Sequence, residues 1–174
     1  MESRSSSDLF ALFGLEPRFD LDTAELERAY LDRSKDAHPD RFAGAPAADR
    51  ARAVSRAMEL NDAYKTLKRP VARAEYLLAR AGQGIGDHEK VDVSFLSEVL
   101  ELREELADAR AAGKLDDVAR LEKAMKARHA GLVAGLAPAF AANDLARAKQ
   151  LVIELRYVAR YLEECDAALD EDAA

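Results

Sequence analysis

Two stretches of helical periodicity are separated by Asp36-Ala37-His38-Pro39-Asp40-Arg41-Phe42. Pro39 has no backbone N–H and disfavours a helical conformation at the residue before it, so a helix arriving from Asp22 is expected to end at or just before His38. A second proline, Pro46, follows before periodicity resumes. The stretch therefore predicts two antiparallel helices, with His38, Pro39 and Asp40 in the exposed connection between them.

Both flanking helices carry an apolar face that predicts a shared core. Asp22 and Glu25 have the spacing of a capping box, which marks the start of the first helix. On that helix one face holds Leu26, Ala29, Tyr30 and Ala37. On the second helix, apolar residues recur at steps of four and three at Ala53, Ala57, Leu60, Tyr64 and Leu67. The two stripes predict that the helices pack against each other.

Composition favours an all-α protein. The chain has 174 residues, enough for one domain or two small ones, with 49% hydrophobic residues, 34% charged residues and no Trp. The net charge of −7 argues against nucleic acid or an anionic membrane as a partner, because both are bound largely through clustered Lys and Arg. The protein class predicted from composition is therefore a soluble helical one without these partners.

A single cysteine, Cys165, rules out an intrachain disulfide and a Cys-rich zinc site. It lies on an apolar helical stripe, so we expect a buried and unreactive thiol. The first eight residues lack the apolar core of a signal peptide, and no run is long and apolar enough to span a bilayer. These features predict a cytoplasmic protein.

Three glycines between residues 82 and 86 mark the one convincing domain boundary. The predicted domains are 1–80, a Gly-rich linker at 81–90, and 91–174. Beyond the linker, apolar stripes predict three helices with short connections, which favours an antiparallel three-helix bundle. The stripes are Phe95, Val99, Leu102, Leu106 and Ala109, then Val118, Leu121, Met125, Leu132 and Leu136, then Ala148, Leu151, Leu155, Val158, Leu162, Cys165 and Leu169.

Two helices of this bundle carry more apolar residues than one core stripe needs. On the first, Leu96 and Leu100 lie beside the stripe and border an acidic row of Glu101, Glu104 and Asp108. On the third, the extra apolar residues are Ile153, Tyr157 and Tyr161. Such residues either pack inside the protein or form a surface that binds a partner, and the sequence leaves both interpretations open.

The chain resembles a known family along nearly its whole length. His38-Pro39-Asp40 and the segment 60–67 resemble a J-domain, the module that stimulates the ATPase of DnaK-type chaperones. Segments 70–78 and 95–106, together with Leu155-Arg156-Tyr157, are similar to the HscB family, the J-proteins of iron–sulfur cluster assembly. The resemblance implies a J-domain followed by a three-helix bundle that binds the cluster scaffold protein.

The same resemblance implies two sets of binding residues. The chaperone-binding set is His38, Pro39, Asp40, Arg28, Lys35 and Arg41. The set that binds an IscU-type scaffold is Leu96, Leu100, Glu101, Glu104, Asp108 and Tyr157, with Ser97 standing where a larger apolar residue can occur. The first set implies an HscA- or DnaK-type ATPase as partner, with weak electrostatic steering because Leu31 and Asp32 interrupt the basic face.

We expect no catalytic, metal or cofactor site. His38 and Asp40 could be imagined as an acid–base pair, but no third group orients them, and neither His88 nor His129 has ligand partners at a recognisable spacing. Two alternatives to the co-chaperone interpretation stay open. One is a J-protein with another client or a self-associating bundle, and the other is an acidic helical enzyme that uses His38.

Overall fold

The computed structural model describes residues 8–86, 89 and 91–170, which form six α-helices and two short 3₁₀ helices without any strand. The predicted all-α class is confirmed. None of the described helices is long and apolar enough to cross a membrane. The 3₁₀ helices are Ala11–Phe13 and Pro39–Phe42, and the α-helices are α1 (Thr23–Asp36), α2 (Ala47–Lys68), α3 (Pro70–Arg80), α4 (Val93–Ala111), α5 (Leu115–Ala141) and α6 (Leu145–Asp170).

The chain divides into two compact units, Met1–Leu77 and Leu78–Ala174. The division falls inside α3, a few residues before the Gly-rich segment that the sequence predicts as a linker. In that segment the described residues, 81–86 and 89, are not helical. His88 and the chain ends at 1–7 and 171–174 lie outside the described residues.

The N-terminal unit is built on a hairpin of α1 and α2. The rings of Tyr30 and Tyr64 stack with their centroids 4.2 Å apart, so α1 and α2 pack side by side. The segment with the 3₁₀ helix Pro39–Phe42 connects the C-terminus of α1 to the N-terminus of α2, so the two helices are antiparallel. The core between them is apolar and includes Phe10, Phe13, Leu21, Leu26, Ala37, Leu60, Ala63 and Leu67. The predicted core faces of both helices are therefore confirmed.

Polar contacts fix the ends of these helices. The Asp22 carboxylate accepts a hydrogen bond from the backbone N–H of Ala24 at 2.8 Å, which caps α1. At the same end of the hairpin, away from the connection between α1 and α2, the buried guanidinium of Arg73 donates to the Leu67 carbonyl at 2.6 Å and lies 5.0 Å from the centre of the Phe19 ring. Arg73 thereby satisfies a carbonyl at the end of α2 and ties α3 to the unit.

The C-terminal unit is the predicted three-helix bundle. Tight turns connect its helices, with positive φ angles of 64° at Gly113 and 54° at Asn143. Phe95 contacts Tyr157, and further along both helices Arg103 contacts Glu164, so α4 and α6 run in the same direction while α5 runs against them. Residues of all three helices form the buried core: Leu106, Ala109, Val118, Leu121, Met125, Val158, Tyr161, Cys165 and Ala168.

Candidate functional site

The His38-Pro39-Asp40 connection is locally ordered. His38 precedes the 3₁₀ helix Pro39–Phe42, and its Nδ1 accepts a hydrogen bond from the backbone N–H of Asp40 at 3.3 Å. This bond caps the short helix and holds the backbone on both sides of the proline. The Asp40 side chain stays 90% exposed and the imidazole 58% exposed. The geometry therefore presents a carboxylate to solvent from a constrained backbone.

The same geometry does not form a recognisable catalytic or metal site. His38 Nδ1 lies 3.5 Å from an Asp40 carboxylate oxygen, but the pair is open to water and no third group that would orient the imidazole is hydrogen-bonded to it in the described chain. Within residues 8–86, 89 and 91–170, no cluster of three or more His, Cys, Asp or Glu side chains could hold a metal ion.

Two of the three cations predicted to support this loop are paired within the unit. Lys35 Nζ lies 3.2 Å from Asp32, and Arg41 lies 2.9 Å from Asp36 while also donating to the carbonyl of Lys35 at 3.3 Å. Arg41 thus ties the loop to the last turn of α1 and satisfies a carbonyl there.

The third predicted cation, Arg28, differs from the other two. It is exposed and has no ion-pair partner among the residues that the structure describes. Over its whole length α1 carries four carboxylates and three cations. The pairing of Lys35 and Arg41 with carboxylates of the same unit therefore lowers the positive potential of this surface further.

On α4 the structure exposes a continuous face, here called the α4 face. Leu100 is 66% exposed, Leu96 is half-buried, and the carboxylates of Glu101, Glu104 and Asp108 are exposed. These are five of the six residues predicted to bind a scaffold, and the helical spacing places them along one side of α4.

Sequence reasoning missed one further member of the α4 face. Val93 is 80% exposed at the first position of α4. It precedes Leu96 by three residues and Leu100 by seven, which is the spacing of one helix face. That spacing could have identified it.

On α6 the structure separates three aromatic and aliphatic residues that the sequence left together. Ile153 is 9% exposed and Tyr161 only 2%, and the Tyr161 hydroxyl donates to the Leu102 carbonyl at 3.1 Å. Tyr157 is half-buried, with its ring edge-on to Phe95 at 5.6 Å. Internal packing is therefore the correct interpretation for Ile153 and Tyr161, and only Tyr157 stays available to a partner.

Contacts on the other side of α4 attach this helix to α5 and α6. The guanidinium of Arg128 on α5 forms two hydrogen bonds to Glu98, one of them at 3.0 Å, and lies 5.4 Å from the centre of the Phe95 ring. The hydrogen bonds from Arg128 lower the pKa of the Glu98 carboxyl. On the α6 side, Arg103 pairs with Glu164 at 3.0 Å. These contacts fix the direction in which α4 presents its leucines.

Cys165 lies in the core behind this face, as the sequence predicts. The thiol is fully buried, and desolvation raises its pKa to about 11. The neighbouring Tyr161 hydroxyl has its pKa raised to about 12, also mainly by desolvation. A protonated thiol without access to solvent does not react readily, so Cys165 serves packing.

Comparison with known proteins assigns both halves of the chain. The DnaJ domain model matches residues 8–76, and the model described as the HSCB C-terminal oligomerisation domain matches residues 91–166. The co-chaperone protein HscB homolog of Neisseria gonorrhoeae is 37% identical over 165 residues, covering 94% of this chain and 99% of the relative. The homolog of Aeromonas salmonicida is 39% identical over 160 residues, covering 90% and 93%.

Solved structures share the fold over nearly the whole chain. The chaperone HscB from Vibrio cholerae superposes with a TM-score of 0.79 at 35% identity, covering 94% of this chain and 98% of that one. Human co-chaperone protein HscB gives a TM-score of 0.85 at 28% identity, covering 96% and 84%. Both domain matches, the extent of the sequence identity and the shared fold agree, and the chain belongs to the HscB family of J-domain co-chaperones.

Proposed function

We propose that this protein delivers an IscU-type iron–sulfur scaffold protein to an HscA- or DnaK-type chaperone and stimulates the ATPase of that chaperone. The N-terminal unit contacts the ATPase and the bundle holds the scaffold. The proposal rests on membership of the HscB family and on two solvent-facing surfaces of suitable chemistry. It places the protein in cytoplasmic iron–sulfur cluster assembly.

The chaperone-binding part of the proposal is centred on Asp40. Its carboxylate is exposed on a short helix that His38 caps, so it is available to pair with an arginine of the ATPase. His38 and Pro39 hold the backbone, and Arg41 fastens the loop to α1. Arg28 and Lys35 extend the contact along α1. The exposure of Asp40 is the single observation that carries this half of the function.

The scaffold-binding part of the proposal is centred on Leu100. Leu100 is 66% exposed, and full burial of a leucine side chain against a partner contributes about 1.5–3 kcal/mol. Leu96 and Tyr157 extend the apolar contact, and the row of Glu101, Glu104 and Asp108 borders it with negative charge. A partner surface with an apolar centre and a basic margin fits this face.

A reconstituted assay tests the two halves together. The rate of ATP hydrolysis by a purified HscA- or DnaK-type chaperone is measured with the full-length protein, the scaffold protein, or both. We expect stimulation by the full-length protein and stronger stimulation when the scaffold is added, because the bundle brings the client to the ATPase. His38→Gln removes the cap of the short helix, so we expect it to abolish stimulation while leaving scaffold binding intact.

Self-association of the bundle is a second candidate function. It is favoured by the description of the matched C-terminal model as an oligomerisation domain and by the exposure of Val93 and Leu100. If two copies covered each other's α4 faces, the measured molecular mass would rise from that of a monomer to that of a dimer as the protein concentration increases. Sedimentation of the full-length protein, and of its Leu100→Glu variant, distinguishes this arrangement from scaffold binding.

We also propose that the protein acts by binding alone, without catalysis of its own. The relatives are co-chaperones, and the His38–Asp40 pair is open to solvent without an orienting third group in the described chain. ATP hydrolysis measured with the protein in the absence of a chaperone should equal the buffer background. Turnover that His38→Gln removes would favour an enzyme instead.

A further inference from the structure

Leu31 is an apolar residue placed in the middle of the proposed chaperone-binding face. It is 51% exposed on α1. Single exposed leucines are common on protein surfaces and need no explanation by themselves. The position of Leu31 is what distinguishes it, because Arg28 lies one turn before it and Lys35 one turn after it on the same side of α1.

The charges around Leu31 are largely compensated within the N-terminal unit. Lys35 is paired with Asp32 and Arg41 with Asp36, at 3.2 and 2.9 Å. These exposed pairs are weak, but they lower the net positive potential that the loop side of α1 offers to an acidic partner. A face of this kind gains less from long-range attraction than a face of unpaired cations.

We infer that Leu31 is the apolar anchor of the chaperone contact, and that it inserts between carboxylates of the ATPase into an apolar depression. The inference rests on the proposed function and names the chemistry of the surface that the J-domain meets. Arg28 and Lys35 on either side of Leu31 provide the charge complementarity to a carboxylate rim. The Arg41 bond to the Lys35 carbonyl makes this face continuous with the loop that presents Asp40.

One physical consequence separates an apolar anchor from a basic face. Ionic attraction between exposed groups falls as salt screens it, with a Debye length of about 10 Å at 0.1 M, whereas an apolar contact is not screened. Stimulation of the ATPase by this protein should therefore fall less with increasing ionic strength than stimulation by a J-domain whose contact is wholly basic. The affinity for the ATPase should instead increase with the apolar area of the side chain at position 31.

The test compares Leu31→Ala with Val54→Ala in the full-length protein. Val54 is also an exposed apolar residue of the N-terminal unit, 45% exposed on α2, and serves as the matched control. We expect Leu31→Ala to raise the concentration needed for half-maximal ATPase stimulation about tenfold, as expected for an interface anchor, and Val54→Ala to raise it less than about twofold. Circular dichroism checks that both variants stay helical.

A second variant, Leu31→Lys, asks whether position 31 needs apolar area or charge. At about 0.3 M salt we expect Leu31→Lys to be as weak as Leu31→Ala, with partial recovery at low salt. Wild-type affinity of Leu31→Lys at both salt concentrations would overturn the inference. So would equal effects of Leu31→Ala and Val54→Ala.

The same assay keeps failure of this inference apart from failure of the proposed function. If the wild-type protein stimulates the ATPase and Asp40→Asn does not, the proposed function holds, and the Leu31 variants then decide the inference alone. If the wild-type protein gives no stimulation, the proposed chaperone contact is wrong. The role of Leu31 is then overturned with it.

Discussion

The loop surface of the N-terminal unit and the α4 face of the C-terminal unit present opposite chemistry to their surroundings. Around the loop, Arg41 and Lys35 are paired with carboxylates of the same unit, and the Asp40 carboxylate projects almost fully exposed. On the α4 face, Val93 and Leu100 are exposed without an apolar cover. At the loop itself, contact with a partner thus depends on one charged group held in place, whereas contact at the α4 face depends on the apolar area buried with a partner.

This difference predicts two ways in which binding can fail. A charged contact is lost when one atom of the charged group is replaced, because the partner charge is then left unpaired. An apolar contact weakens in proportion to the area removed. The predictions below use this distinction, in order from the largest expected effect to the smallest.

Asp40→Asn should remove all measurable ATPase stimulation. The change replaces one carboxylate oxygen by an NH₂ group and keeps the side-chain volume. An arginine of the ATPase that faces it would lose a charge-assisted hydrogen bond, at a cost of about 2–5 kcal/mol. Circular dichroism should be unchanged because the side chain is 90% exposed. Scaffold affinity serves as the control. Stimulation at the wild-type level would show that Asp40 is not the group that contacts the ATPase.

The double change Leu96→Ala and Leu100→Ala should weaken scaffold binding about a hundredfold. Each truncation removes roughly 1.5 kcal/mol of apolar contact, and 1.4 kcal/mol corresponds to a factor of ten. Isothermal titration of the scaffold protein against the full-length variant measures the effect. Met58→Ala is the matched control, since Met58 is 62% exposed on α2.

An unchanged dissociation constant for the Leu96 and Leu100 variant would assign these leucines to another contact. In that case the sedimentation behaviour of the variant would identify self-association, because removal of the leucines would then make the protein monomeric. The ATPase stimulation without scaffold should be the same as wild type in either outcome.

Tyr161→Phe should destabilise the bundle by about 1–2 kcal/mol. It removes the hydrogen bond to the Leu102 carbonyl, which holds the middle of α4 against α6, and leaves that carbonyl without this donor. Amide hydrogen exchange of α6 in the native protein measures the loss. Tyr157→Phe is the control, because the ring contact with Phe95 is kept. Equal protection in the two variants would mean that the buried hydroxyl adds nothing to the rigidity of the α4 face.

Asp36→Asn should produce the smallest effect, and it should strengthen ATPase stimulation where the other variants weaken a contact. Neutralising Asp36 removes the ion pair with Arg41 and leaves the guanidinium free to contact a partner. We expect the concentration for half-maximal ATPase stimulation to fall two- to threefold at low salt and to match wild type at high salt, as for exposed charges. A weaker stimulation would show that Arg41 acts by positioning the loop through Asp36.

Much of the fold could be predicted from the chain because the deciding signals are local. Pro39 disfavours a helical conformation at His38, and α1 ends just before that residue, at Asp36 with Ala37 as its C-cap. The stripes of α2 and α4 predicted their buried faces because a helix that packs one face on a core carries apolar residues with a period of 3.6. The J-domain and bundle resemblance rested on such segments, and the matched family models confirm both.

The candidate sites were predictable in residue type but less so in environment. The acidic row and Leu100 of α4 are exposed and Leu96 is half-buried, as their spacing beside the core stripe suggests. The spacing of Ile153 and Tyr161 looked equally available, yet both are buried. Whether a second stripe faces water depends on how the helices of the bundle surround α6, and this is not written in the periodicity of α6 itself.

The sequence by itself determined which helices exist, where the exposed connection falls and which family the chain belongs to, because these follow from residues that are near one another along the chain. Only the tertiary structure decided that Ile153 is buried and that the Tyr161 hydroxyl reaches a carbonyl 59 residues away. Those outcomes depend on which surfaces meet when the helices pack, and packing joins groups that no local pattern relates.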